Sequence, residues 1–155
     1  MQSTAAGLAA LALASGGLGL ERVGRFDEPV YVTGTGRTLA VVERYGIVRD
    51  VRSRRVLADL RKRVLVEDPR ETVDQRGLLS MAFAPGRRRL FYVMYVNRRS
   101  RLRIDEVRRG RVRRVLDLGP AATQHHGGQL QFGPDGLLYA STGMGDDPAA
   151  SGKIL

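Results

Sequence analysis

The chain of 155 residues is 43% apolar, enough for one domain with a core and too much for a disordered segment. It has no cysteine, which excludes a disulfide framework, a thiol nucleophile and a cysteine-ligated metal. The net charge is +10 and rests almost wholly on arginine, with Lys62 and Lys153 the only lysines. These arginines are not interleaved with aromatic residues and lie on no recognisable recognition helix, so they read as solvated strand faces and turns rather than a nucleic-acid surface. Polyanion binding through them is the lesser alternative.

In chain order, Ala5 to Leu20 is apolar and rich in small residues, with the length of a signal-peptide core and an A-x-A pattern at Ala12-Leu13-Ala14. Met1 to Thr4 carries no positive charge, so residues 1–20 read either as a secretory signal, which sends the protein to the periplasm or outside the cell, or as a disordered lead-in. The segment is too short for a membrane span. Residues 21–155 then alternate turns with short strands: Val30 to Val32, Gly46 to Val51, Leu78 to Phe83, Leu102 to Val107 and Val112 to Leu118. Leu57 to Val66 fits a strand or a short helix. Leu78 to Phe83, apolar but for Ser80, is expected to be an inner strand buried on both faces.

Three turn-then-strand units superimpose: Gly34 to Val42, Ala84 to Val93 and Gly133 to Ala140. They recur about every fifty residues, the period of a four-stranded propeller blade. The fold expected is all-β, an incomplete N-terminal portion of a six-bladed β-propeller with about two to three blades. Since blades bury their faces against one another, we expect the natural protein to continue past Leu155.

Two polar stretches abut apolar strands. Asp74-Gln75-Arg76-Gly77 places an acid, an amide and a guanidinium directly before Leu78, either at a channel mouth or as a solvated turn. Gln124-His125-His126-Gly127-Gly128 holds both histidines of the chain before a double glycine that would let backbone approach a ligand. An imidazole can accept a hydroxyl proton, as alcohol oxidation requires. Adjacent histidines on a strand face opposite ways, so one at most enters a shared site. Without cysteine or a third histidine, a metal pair is the weaker reading.

These residues resemble a known family. Gln75 to Pro85 is similar to the "QxGLLGxAFHP" signature of the soluble glucose and sorbosone dehydrogenases that use pyrroloquinoline quinone (PQQ), and His125 to Tyr139 to their "HNGGxLxFGPDGxLY". Phe26 to Val32, Glu43-Arg44-Tyr45-Gly46 and Gly152 to Leu155 match the family's opening strand, "EQxG" turn and "GKIL" run, in order. The resemblance implies a PQQ-dependent aldose-type sugar dehydrogenase, with an external electron acceptor. By position, His125 falls on the base that takes the sugar hydroxyl proton while hydride passes to PQQ, and Gln75 and Gln124 on substrate contacts. Gln124 stands where the glucose enzyme has aspartate, His126 where the family has asparagine, and Ala84 where it has histidine. The family's "TGDGG" loop is shortened in Thr142 to Asp147, so neither Asp146 nor Asp147 is assigned to calcium. The arginines, lysine and calcium ligands that clamp the cofactor in the family lie past Leu155, so these 155 residues alone are expected to be inactive. A propeller that binds a protein or glycan without catalysis is the alternative.

Overall fold

In the computed structural model, residues 19–36, 38–67, 74–145 and 152–155 are described. They form eleven strands in three antiparallel sheets. The first sheet comprises β1 (Pro29–Thr35), β2 (Thr38–Glu43), β3 (Ile47–Asp50) and β4 (Val56–Asp59). The second comprises β5 (Leu78–Ala84), β6 (Arg87–Val96), β7 (Arg101–Arg108) and β8 (Arg111–Pro120). The third holds β9 (Gly127–Phe132), β10 (Leu138–Thr142) and β11 (Lys153–Ile154). In each, spatial order follows chain order, giving a partial β-propeller of two full blades and three strands of another.

The repeat seen in the sequence is the first hairpin of each blade, the turns between β1 and β2, β5 and β6, and β9 and β10. Leu57 to Val66 resolves as the end of β4 followed by turns, with Val64 bridging to Asn97 and no helix.

The core consists of two interfaces set by the side-chain period of two. Phe91, Val93 and Tyr95 on β6, with Met81 and Phe83 on β5, pack against Ala40, Val42, Val48 and Leu60 of the first blade. The intervening residues Met94 and Val96, with Ala82 of β5, face Leu130 and Ala140 of the third. The middle blade is therefore buried on both faces, which explains why β5 is apolar at every position but Ser80. Each Val, Leu, Met or Phe among these core residues, once removed from water, contributes about 1.5–3 kcal/mol. β8, the outer edge of that blade, is mostly exposed and carries Arg111, Arg113 and Arg114, charges that oppose pairing with another strand edge.

β5 lies beside both β1 and β9, so the three first strands form the inner wall. They start at a common end. The Arg44 N–H donates to Glu28 O (3.0 Å), the Leu78 N–H to Arg44 O (2.8 Å) and the Gln75 N–H to Thr123 O (2.9 Å).

Candidate active site

The loops entering β5 and β9 meet at that common end, although fifty residues separate them. The backbone N–H of His125 donates to the side-chain oxygen Oε1 of Gln75 at 3.0 Å. On its other side, the His125 carbonyl accepts from the Gly145 N–H at 3.0 Å. His125 takes φ of 55°, a left-handed conformation in which histidine is among the more tolerated residues. Its backbone is thus held from two sides while its side chain stays exposed at the mouth.

The two histidines do part company, but a turn separates them, not strand alternation. β9 begins only at Gly127, and His126 is buried, 6% exposed, with its carbonyl accepting from the Gly143 N–H at 2.6 Å. Gln124 is half-buried beside them.

The double glycine serves packing within the protein. A Cβ on Gly127 would lie 2.5 Å from the Gly143 nitrogen, and one on Gly128 would lie 2.7 Å from Leu79 Cδ1. Both positions have positive φ, 69° and 110°, so glycine is required on steric and conformational grounds alike.

The loop Asp74 to Gly77 divides its polar groups. Gln75 is exposed, whereas Asp74 and Arg76 are buried. The Arg76 Nε donates to Asp74 Oδ1 at 2.8 Å, and its terminal nitrogen pairs with Glu67 at 2.7 Å. The other Asp74 oxygen accepts from the Glu67 N–H at 3.1 Å. Arg44 braces the same loop, donating to the carbonyls of Arg76 (2.9 Å) and Asp74 and pairing with Glu28 at 3.1 Å. Burial pushes the Asp74 carboxyl up, but the bonds from Arg76 and the Glu67 N–H outweigh it and hold the group below the usual carboxylate range. Asp74 and Arg76 are therefore the frame of the mouth, and Gln75 is the side chain it presents.

A second buried polar cluster left no mark in the local sequence pattern. Asp105 on β7 is fully buried, accepting from the Tyr95 hydroxyl at 2.8 Å and from Arg103 at 3.0 Å. Burial, reinforced by Asp105, pushes the Tyr95 hydroxyl up to about 12. The alternation of Leu102 to Val107 suggested a half-exposed strand, but both of its faces hold buried side chains, Leu102 and Ile104 on one and Asp105 and Val107 on the other.

Arg44 and Arg76, the guanidiniums flanking the Gln75 loop, are spent on Glu28, Asp74 and Glu67. Among the described residues no group of three or more acids and histidines is placed to hold a metal ion. Among its described residues the mouth thus presents an imidazole and an amide, which suit a hydroxyl, and no free cation or acid cluster that would suit the carboxylates of PQQ or a calcium ion. Asp146 and Asp147 lie outside the described residues. Two hollows, of about 920 and 460 Å³, both open at the opposite end of the sheets.

No family model matches the chain. Hedgehog-interacting protein of Mus musculus is 37% identical over 95 residues, and that of Homo sapiens 36% over 93. Each match takes in 46% of this chain and 13% of the relative. Among solved structures, the PQQ-bound aldose sugar dehydrogenase of Streptomyces coelicolor superposes with a TM-score of 0.66 at 24% identity, over 84% of this chain and 44% of that one. A proposed glucose dehydrogenase of Thermus thermophilus gives 0.69 at 29% identity, over 87% and 46%. The chain thus spans less than half the length of the proteins it matches. In its propeller blades it resembles these two dehydrogenase structures.

Proposed function

We propose that this chain contributes the substrate side of a PQQ-dependent sugar dehydrogenase, with His125 as general base. The observation that carries the reading is the 3.0 Å bond from the His125 N–H to Gln75 Oε1, which joins the two family-like motifs at one mouth of the inner wall. Fixing the backbone on both sides of His125 aims its ring without occupying it, leaving a ring nitrogen to take the proton of a sugar hydroxyl. Gln75 uses Oε1 for this clamp, so its amide N–H₂ remains to donate to a sugar oxygen. Gln124 adds a second amide beside it.

Such an arrangement supplies orientation and proton removal, while oxidation belongs to the cofactor. In this reading residues 21–155 are one propeller domain, and groups other than those of the mouth hold PQQ and calcium. The 155 residues alone turn over no sugar. The reading also calls for a small aldose as substrate, an external electron acceptor and a location in the periplasm or outside the cell. The lead-in expected to direct export falls, up to residue 18, outside the described residues. Among the described residues no helix is long and apolar enough to cross a membrane.

The test is dye reduction by the full-length protein with an aldose, PQQ and calcium. Reduction that depends on both sugar and PQQ, and that falls about 10²- to 10⁴-fold in His125→Ala with PQQ affinity unchanged, supports the assignment. Full turnover in His125→Ala would remove the base, and no reduction with any aldose would sink the dehydrogenase. That last outcome favours the second reading, a non-catalytic binding propeller. Its support is the similarity to Hedgehog-interacting protein, named for a protein partner, together with Gln124 and His126 where the family has aspartate and asparagine.

A further inference from the structure

The end of the blades opposite His125 carries a feature the dehydrogenase reading leaves unused. A cleft of about 920 Å³ opens between the first and second blades, and six of the residues lining it are arginines: Arg55, Arg87, Arg88, Arg89, Arg108 and Arg109. They come from the approach to β4, the start of β6 and the turn after β7, so ordered strands anchor their stems.

No ion pair with a carboxylate reaches any of the six among the described residues. Among the described residues Asp50 is the one acid of the lining, and its Oδ1 accepts from the Ser53 N–H at 2.6 Å and hydroxyl at 2.7 Å. The backbones of the arginines are also close. Arg108 sits opposite Leu90, and the Arg109 N–H donates to Arg89 O at 3.3 Å, so cationic stems leave neighbouring rungs of one sheet. Like charges on adjacent strands repel, and a bound anion would relieve the repulsion.

Six guanidiniums exceed what a single phosphate or sulfate uses, since one or two bidentate arginines satisfy such a group. The charge is spread along a cleft, which matches anionic groups repeated along a narrow chain. No aromatic ring lines it to stack nucleobases, as single-stranded nucleic acid sites commonly do. A DNA duplex is read by an element that enters its groove, and a concavity between two sheets offers none. From this geometry we infer that the cleft binds a linear acidic polysaccharide, its sulfate or carboxylate groups forked by the arginines. The site lies at the far end from His125 and does not depend on the dehydrogenase reading.

Heparin is the probe, with affinity measured across a salt series on the full-length protein. Arg87→Ser/Arg88→Ser/Arg89→Ser is compared with Arg99→Ser/Arg113→Ser/Arg114→Ser, which removes the same charge from exposed positions outside the cleft. The expected result is about tenfold weaker binding and a shallower salt slope for the cleft variant only. Equal losses in both variants would reduce the binding to the net charge of +10 and overturn the site. Displacement of heparin by duplex DNA at matched charge would reassign it to nucleic acid, and equal competition by inorganic sulfate would make it a small-anion site. Either result overturns the polysaccharide.

Discussion

The two ends of the blades treat charge in opposite ways. At the His125 end, Glu28, Arg44, Glu67, Asp74 and Arg76 form a closed network that is largely buried and holds the loops from which Gln75 and His125 project. At the other end, among the described residues, six arginines share one cleft with a single acid, one oxygen of which is bonded to Ser53. Pairing fixes geometry, as a catalytic mouth requires. Unpaired cations leave interaction energy to a ligand and contribute little to the fold. Charge removal should therefore destabilise one end and spare the other.

The largest stability effect belongs to Asp74. Asp74→Ala strips Arg76 of one carboxylate and leaves a guanidinium only 8% exposed with Glu67 as its remaining acid, and we expect a loss of about 3 kcal/mol in chemical denaturation. The Gln75 loop should loosen with it, so activity falls even though Asp74 does not touch the sugar. Because the folded carboxyl is held below its ordinary value, it stabilises above that value, and the contribution disappears as acid protonates the folded group. Asp74→Asn should therefore flatten the stability drop below about pH 4. An unchanged acid limb would place the proton-linked stability elsewhere.

Next in size is the buried triad within the middle blade. Tyr95→Phe removes the 2.8 Å donor to Asp105 and should cost about 1–2 kcal/mol. The folded Tyr95 hydroxyl titrates at about 12, above the ordinary value of about 10, so its contribution is full below pH 10 and fades as pH rises toward 12. Tyr95→Phe should lack this alkaline loss, measurable as a flatter denaturation midpoint between about pH 9 and 12.

The fold was legible because its signals are local and repeated. The glycine turns ahead of β2, β6 and β10 and the mostly apolar run of β5 need only their neighbours in sequence to be read. The site was legible in its members but not in their division of labour. Nothing local tells Gln75 from Asp74 and Arg76, since their exposure depends on Glu67 and Arg44, which lie 7 and 30 residues from Asp74 along the chain. The same holds for Gly127 and Gly128, whose partners Gly143 and Leu79 lie after β10 and on β5, and for Asp105, which looked solvent-facing but is fully buried against Tyr95 of the neighbouring strand. The arginine cleft was hidden for a related reason. Arg55, Arg87 and Arg109 look like separate solvated turns until blade packing gathers them.

The smallest effect sharpens the contrast most. Arg88 lines the cleft, is exposed and has no carboxylate partner among the described residues. Arg88→Ser should leave stability within about 0.5 kcal/mol of the parent, the range of a surface substitution away from caps and cores. Its sign is informative. Removing one of six mutually repelling cations should stabilise slightly at low salt, and the gain should vanish as ionic strength rises past about 0.15 M, where the screening length is about 8 Å. A clear destabilisation, independent of salt, would mean that Arg88 is held by packing or by a bond within the protein, and the two ends would then differ less in kind than their carboxylates suggest.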